Sequence, residues 1–201
     1  MRYRPLSPDG LVDECVAAIA DLPGRRVVAV DGADAAEPAT LADALARRLR
    51  ATGRAADVVD LHHWLRPAST RMEWGHTDAE SYRTAWFDLA AIGREVIDAL
   101  RSRGEWLPRL WDPERDRSFR DEPSPAGPDQ VIVLAGPMLV GSGLDVDLTV
   151  ALRMTEGALR RRTPEAEHWT IAPLLEQADE TGPADIEVRW DHPDRPAVRV
   201  A

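Results

Sequence analysis

Residues 25–50 read RRVVAVDGADAAEPATLADALARRLR. Positions 27–30 (VVAV) are a short apolar, mostly β-branched run, the pattern of a strand buried on both faces. Asp31 and Gly32 end it. From Leu41 onward the apolar positions Leu41, Leu45 and Leu49, with alanines between, follow helical spacing. The stretch therefore predicts strand, tight turn, helix.

A glycine-containing turn between a strand and a helix is where the phosphate loop GxxxxGK[ST] sits. Gly32 begins that pattern in the right place. Counting on, the second glycine, the lysine and the hydroxyl residue would fall at 37, 38 and 39, where this chain has Glu37, Pro38 and Ala39, with Thr40 one position late. Gly32, Asp34, Glu37, Pro38, Ala39 and Thr40 are thus the candidate nucleotide-facing positions of a loop whose chemistry has been removed. Gly32 is equally the glycine of a plain tight turn. Pro suits the first turn of a helix and a carboxylate there suits its dipole, so Glu37 is expected to fill the anion site itself.

The bulk properties narrow the classes. A chain of 201 residues predicts one domain with a real core, and a net charge of -10 argues against nucleic acid or an anionic membrane as partner. The start has no basic-then-apolar leader. The longest apolar stretch, 131–144, carries Gly136, Pro137, Gly141 and Gly143 and does not suit a bilayer span. The expectation is a soluble, cytoplasmic protein. The single Cys15 excludes an internal disulfide and falls on an apolar helix face. All 25 basic residues are Arg, so no lysine elsewhere replaces the one missing at Pro38.

Working outward, residues 11–22 predict an amphipathic helix starting at Asp9 or Gly10, and 56–61 a second strand, followed by His62-His63-Trp64-Leu65-Arg66-Pro67. Ligands of open α/β sheets bind beyond such strand ends. Residues 66–77 read as irregular and 78–103 as a long helical region with Leu89, Ile92, Val96 and Leu100 as its stripe. Residues 107–111 suggest a strand and 112–129 a charged, Pro-rich loop or hairpin. Strands at 131–134, 147–152 and 186–190 and helices at 155–162 and 171–178 complete the pattern. Apolar strands alternating with helices predict an α/β fold with a mainly parallel sheet flanked by helices.

Several segments together resemble the uridine kinase-like family of P-loop nucleoside kinases, especially its short actinobacterial-type members. They are VVAVDG at 27–32, DLHHWLRP at 60–67, DAESYRTAWFD at 78–88, VIVLAGPML at 131–139, DLTVALRMTEGALRRR at 147–162 and ADIEVRWDHPDRP at 184–196. The resemblance implies a P-loop kinase-like three-layer domain over 1–201 with a lid-like helix near 153–163. It implies ATP- and Mg²⁺-dependent phosphoryl transfer to a nucleoside-like acceptor. It also places His62-His63 where the family has its Asp pair, including the base, and Ala135 where it has an acidic residue. His62, Trp64, Arg66, Tyr82 and Asp88 fall at acceptor-pocket positions, and Arg160, Arg161 and Arg162 in the lid.

Each of these has a plainer alternative. His62 and His63, with an ordinary pKa near ~6.5, are candidate bases, a remnant acceptor pocket, or ordinary loop polarity; no metal-ligand spacing accompanies them. Trp64, Trp74 and Trp86 suit stacking on a planar ligand or core packing, and Arg160–Arg162 suit a lid or a solvated helix end. Three functions remain open. One is a catalytically impaired relative that keeps a small-molecule pocket or binds a protein partner. A second is an active kinase using ATP and Mg²⁺ with Arg in place of Lys. The third is a scaffold without nucleotide. No acidic substitute for the residue at Ala135 is evident in the sequence.

Overall fold

The computed structural model describes residues 2–200. In chain order the main elements are β1 (Arg2–Pro5), α1 (Pro8–Ala20), β2 (Arg26–Gly32), α2 (Pro38–Ala51), β3 (Ala56–Asp60), α3 (Ala79–Thr84), α4 (residues 89–102), β4 (Val131–Gly136), β5 (Leu148–Arg153), α5 (Glu156–Arg162), α6 (Ile171–Glu180), β6 (Ile186–Arg189) and β7 (Ala197–Val200). The seven strands form one sheet in the order β1-β7-β6-β5-β2-β4-β3. The five from β6 to β3 run parallel, and β7 is antiparallel to both β6 and β1.

Alternation along the central strands creates two cores. Val28 and Val30 of β2 and Val131, Val133 and Ala135 of β4 face a cluster with Leu11, Cys15 and Ile19 of α1 and Leu41, Leu45 and Leu49 of α2. Val27, Ala29, Ile132 and Leu134 face the other side, against Trp64, Ile92, Val96 and Leu100. Sheets buried on both faces read as continuous apolar runs, and that is why 27–30 and 131–134 were readable. Cys15 lies in the first core, where burial pushes its thiol up to about 12 and leaves it a packing residue.

The structure corrects several expected boundaries. Helix α1 begins before Asp9, because Ser7 Oγ accepts the Gly10 N–H at 3.0 Å and Pro8 suits the first turn. Residues 78–103 are not one helix. Helix α3 stops at Thr84, residues 85–88 extend to bridge Leu65 with Phe87, and α4 restarts where the Asp88 carboxylate accepts the Ala91 N–H at 3.0 Å. The Arg66 N–H donates to Trp86 O and the Asp88 N–H to Trp64 O, each at 2.8 Å. Within α4, Gly93–Asp98 widens to π geometry. The strand expected at 107–111 is replaced by two-residue ladders, Glu105–Trp106 with Ser124–Pro125 and Trp111–Asp112 with Arg117–Ser118. Residues 66–77 contain one helical turn, Ala68–Arg71. No helix among the described residues is long and apolar enough to cross a membrane.

The register sets the position of the site. Asp31 pairs with Gly136, and Asp60 with Ala135, so the C-terminal ends of β2, β3 and β4 lie side by side. The β2–α2 turn and the His62 segment both leave from this edge.

Candidate functional site

The β2–α2 turn is folded in on itself. Asp34–Ala36 form a 3₁₀ turn in which the Ala36 N–H donates to Ala33 O at 2.7 Å and the Glu37 N–H to Asp34 O at 2.9 Å. Pro38 has no N–H, and the Thr40 N–H donates to Glu37 O at 3.0 Å. From below, Trp190 Nε1 donates to Ala36 O at 2.9 Å and pins the turn. A phosphate cradle needs these backbone donors free; here they are engaged. Gly32 serves packing, since a Cβ there would stand 3.1 Å from Leu152 Cβ and 3.3 Å from Ala36 Cβ.

Glu37 departs from expectation. Its backbone is left-handed, at φ 53°, and its carboxylate makes no capping hydrogen bond to α2. Instead it reaches across to Arg162, with Oε1 3.8 Å from Nη2. The anion position at the helix start is therefore not filled by its side chain.

At the end of β3, Asp60 accepts the His62 N–H at 2.9 Å, which shapes the 3₁₀ turn Leu61–Trp64. The His62 ring lies between two carboxylates, Nε2 3.3 Å from Asp34 Oδ2 and Nδ1 2.9 Å from Asp60 Oδ1. Hydrogen bonding to Asp34 and then to Asp60 outweighs burial and raises His62 to about 10. It is an imidazolium at neutral pH, and the expected role of His62 as a general base does not fit. Burial alone would raise Asp60, but the His62 hydrogen bonds win and hold it below the usual carboxylate range.

His63 points elsewhere. It meets Phe119 edge-on at 5.2 Å, beside Arg109, whose guanidinium lies 4.2 Å from the Phe119 ring centre. Burial lowers its pKa, leaving a neutral ring away from the turn.

Asp60 also bears on the acidic partner missing at Ala135. The two are register partners on adjacent strands, and Asp60, Ala135, Thr40 and His62 line one cavity of about 200 Å³. Asp60 thus stands on the neighbouring strand, level with Ala135. Among the described residues, no group of three or more His, Cys, Asp or Glu side chains is placed to hold a metal ion.

A larger cavity, about 530 Å³, opens between the turn, α3 and the segment joining α5 to α6. Its aromatic wall is Tyr82, Trp86 and Trp169, with ring centres 5.1–5.3 Å apart. Asp34, Glu37, His62, Glu167 and Arg162 supply its charged groups. Trp86 and Arg162 are among its lining residues; their Nε1 and Nη1 atoms are themselves buried, with no hydrogen-bond partner among the described residues.

Of the residues expected at the acceptor pocket, His62 and Tyr82 line this cavity. Trp64 is fully buried core. The Arg66 carbonyl accepts Arg71 Nε at 2.8 Å, and Asp88 caps α4; neither residue is among those lining the cavity. Of the three lid arginines only Arg162 faces the cavity. Arg160 pairs with Glu156 on its own helix at 2.9 Å, and Arg161 is exposed. Trp74, at 76% exposure, is neither core nor cavity wall.

Sequence reasoning missed Asp60, Glu167, Trp169 and His76, which reach the site from separate segments. It also missed Asp31, nine-tenths or more buried. Burial pushes the Asp31 carboxyl up, opposed by Arg153 at 3.4 Å and the Leu139 N–H at 2.9 Å. This ties the ends of β2, β4 and β5 together.

No protein-family model matches the chain, and no curated protein sequence matches it significantly. Solved structures do. One is called a possible uridine kinase, from Bacillus stearothermophilus, with TM-score 0.67 and 17% identity over 88% of this chain and 96% of that one. Another is provisionally named a fructose transport system kinase, from Silicibacter sp. TM1040, with TM-score 0.70 and 20% identity over 88% and 98%. With a mainly parallel sheet flanked by helices on both faces, the fold is that of the P-loop kinase-like α/β proteins.

Proposed function

We propose that this chain is a degenerate uridine kinase-like domain, with its phosphate side closed and its acceptor side kept. In this reading it acts as one unit over its whole length. It binds a small, partly planar, nucleoside-like molecule in the cavity of about 530 Å³ and does not transfer phosphate at ordinary rates. The observation that carries this is the β2–α2 turn, whose N–H groups at Ala36 and Glu37 are spent on Ala33 O and Asp34 O and which has Pro38 in place of a lysine. A hydrogen bond to a charged group is worth about 1.5–3 kcal/mol, so the lost lysine contact alone costs roughly ten- to a hundredfold in affinity. Occupied amides and the nearby Glu37 carboxylate add to that deficit. The residues do not fit the phosphates of a nucleoside triphosphate.

The retained half supports binding. The aromatic wall offers flat apolar area, and the charged side chains beside it offer orientation, the usual composition of a small-molecule site. Incubation with uridine or cytidine and Mg²⁺-ATP should give no nucleoside monophosphate, while uridine should perturb tryptophan fluorescence. Turnover on the order of 1 s⁻¹ or faster would contradict the reading.

A second reading, an active kinase with rearranged contacts, is favoured by Thr40 and Asp60 lining one cavity, since a hydroxyl and a carboxylate are what Mg²⁺ takes in P-loop enzymes. Against it, Asp60 is already engaged by His62. The third, a partner-binding scaffold, gains from the exposed Trp74 alone.

A further inference from the structure

The charges around the large cavity do not cancel. Asp34, Glu37 and Glu167 line it as carboxylates and His62 and Arg162 as cations, with the His76 imidazole also in the wall. Both cations are already matched. His62 is shared between Asp34 and Asp60, and Arg162 has Glu37 3.8 Å away. Glu167 is left over. It forms no ion pair among the described residues, and its backbone carbonyl, not its carboxylate, accepts the Thr170 hydroxyl. Counting Asp60 with the histidine it holds, four carboxylates stand against two cations, a surplus of two negative charges.

That surplus bears on a polar group with nothing to bond. Tyr82 lines the cavity and is only 4% exposed. Its hydroxyl makes no hydrogen bond among the described residues. Burial, and then the negative charge of Asp34, Glu167 and Asp31, push its pKa up, so the phenol keeps its proton. Its oxygen retains free acceptor capacity beside carboxylates that are acceptors only. An anion entering here adds to the repulsion, a neutral solute leaves it unchanged, and a cation relieves it. The wall suits the same sign, because the faces of indole and phenol rings carry the negative side of their quadrupole. Arg71 already uses that property from outside the cavity lining, with its guanidinium 5.2 Å from the Trp86 ring centre.

We infer that the ligand of the large cavity carries a protonated amine, which lies among Glu167, Asp34 and the Tyr82 hydroxyl, with the flat part of the ligand against the aromatic wall. The inference rests on the reading of this cavity as a ligand site and names the charge of its occupant. Ammonium N–H groups donate to the carboxylates and to the Tyr82 oxygen. Glu167, which no cation of the described residues holds, is the counter-ion.

The test is calorimetry on the full chain at about pH 7.5, where an aliphatic amine is charged. One nucleoside body is presented with three charges, as 5′-amino-5′-deoxyuridine, uridine and the 5′-carboxylic acid of uridine. Phenethylamine against 2-phenylethanol repeats the comparison without a nucleoside. The carboxylates are open to water, so the expected gap is moderate: the amine binds at least about fivefold tighter than uridine, and the carboxylate binds weakest. The gap should narrow as salt rises from about 0.01 to about 1 M, over which the screening length falls from about 30 to about 3 Å. Glu167→Gln and Tyr82→Phe should each reduce the gap at least about twofold. Circular dichroism establishes that both variants fold. Glu167 is exposed, so Glu167→Gln decides the point if Tyr82→Phe does not fold. Tyr82→Phe removes a hydroxyl that bonds nothing among the described residues, and a merely structural role would leave the gap unmoved. Equal affinity for the three nucleosides, or tightest binding of the carboxylate, would overturn the inference and leave the cavity reading standing. Binding of phenethylamine over 2-phenylethanol, with no nucleoside bound, would uphold the amine and remove the nucleoside body from the proposed function. Silence from all the probes would overturn both.

Discussion

His62 Nε2 stands 3.3 Å from Asp34 Oδ2, joining the end of β3 to the turn after β2. The other ring nitrogen is held by Asp60, so the ring is fixed from both sides. This clamp keeps the ring charged at neutral pH. It also helps hold the 3₁₀ turn Asp34–Ala36 in its closed form.

The first expected outcome is spectroscopic. With its pKa raised to about 10, His62 should show no titration of its ring resonances between roughly pH 5 and 8. A group whose folded pKa lies above its unfolded value of 6.5 contributes stability that is complete below 6.5 and is lost as pH rises through about 10. Chemical denaturation across that window should therefore show an alkaline decline that His62→Gln flattens. A midpoint near 6.5 for the His62 resonances would refute the clamp.

Gly32→Ala should destabilise the fold without any ligand present. The added methyl meets Leu152 Cβ at 3.1 Å and Ala36 Cβ at 3.3 Å. Overpacking of this kind costs about 1–3 kcal/mol, to be read as a lower urea midpoint. An unchanged midpoint would show that the glycine does not serve packing.

Asp147 should dominate the acid limb. Burial would raise its carboxyl, but the Val27 N–H, Arg26 and Arg101 together hold it below the usual carboxylate range. Its contribution is present above the unfolded carboxyl pKa of about 3.9 and is lost as pH falls through the lower folded value. Asp147→Ala should cost about 1–3 kcal/mol at pH 7, because it leaves the buried Val27 N–H without its acceptor and Arg26 without its carboxylate, while Arg101 keeps Asp145. Equal stability of wild type and variant at neutral pH would remove Asp147 from that role.

Trp64→Ala tests the assignment of Trp64 to the core. The ring is fully buried, so the loss should be about 3–5 kcal/mol, with little change in ligand affinity among molecules that remain folded. A near-neutral effect on stability would return Trp64 to the pocket.

The central strands were legible because burial on both faces leaves an uninterrupted apolar run, as at 27–30 and 131–134. Strands β1 and β7 were not, because RYRP is a four-residue edge segment with two arginines and a proline, and AVRV is only four residues long with an arginine within it. The break at 85–88 has no glycine or proline to announce it; it is made by the Leu65–Phe87 bridge, a contact between distant residues. The departures from the phosphate-loop motif at Glu37, Pro38 and Ala39 were legible position by position, since that motif has fixed spacing. Asp60 was hidden as the last residue of a strand, and only the β3–β4 register places it beside Ala135. Trp169 and Glu167 join Tyr82 through tertiary packing that no local spacing encodes.

The most direct measurement is calorimetric titration with ATP, with and without Mg²⁺, of the wild-type protein beside a Glu37→Gly/Pro38→Lys/Ala39→Thr variant. The closed turn predicts no heat of binding from wild type and detectable binding from the variant, in which the loop regains its glycine, lysine and hydroxyl. Binding of ATP by wild type in the micromolar range, about 8 kcal/mol of affinity, would contradict the account and return the chain to the active kinases.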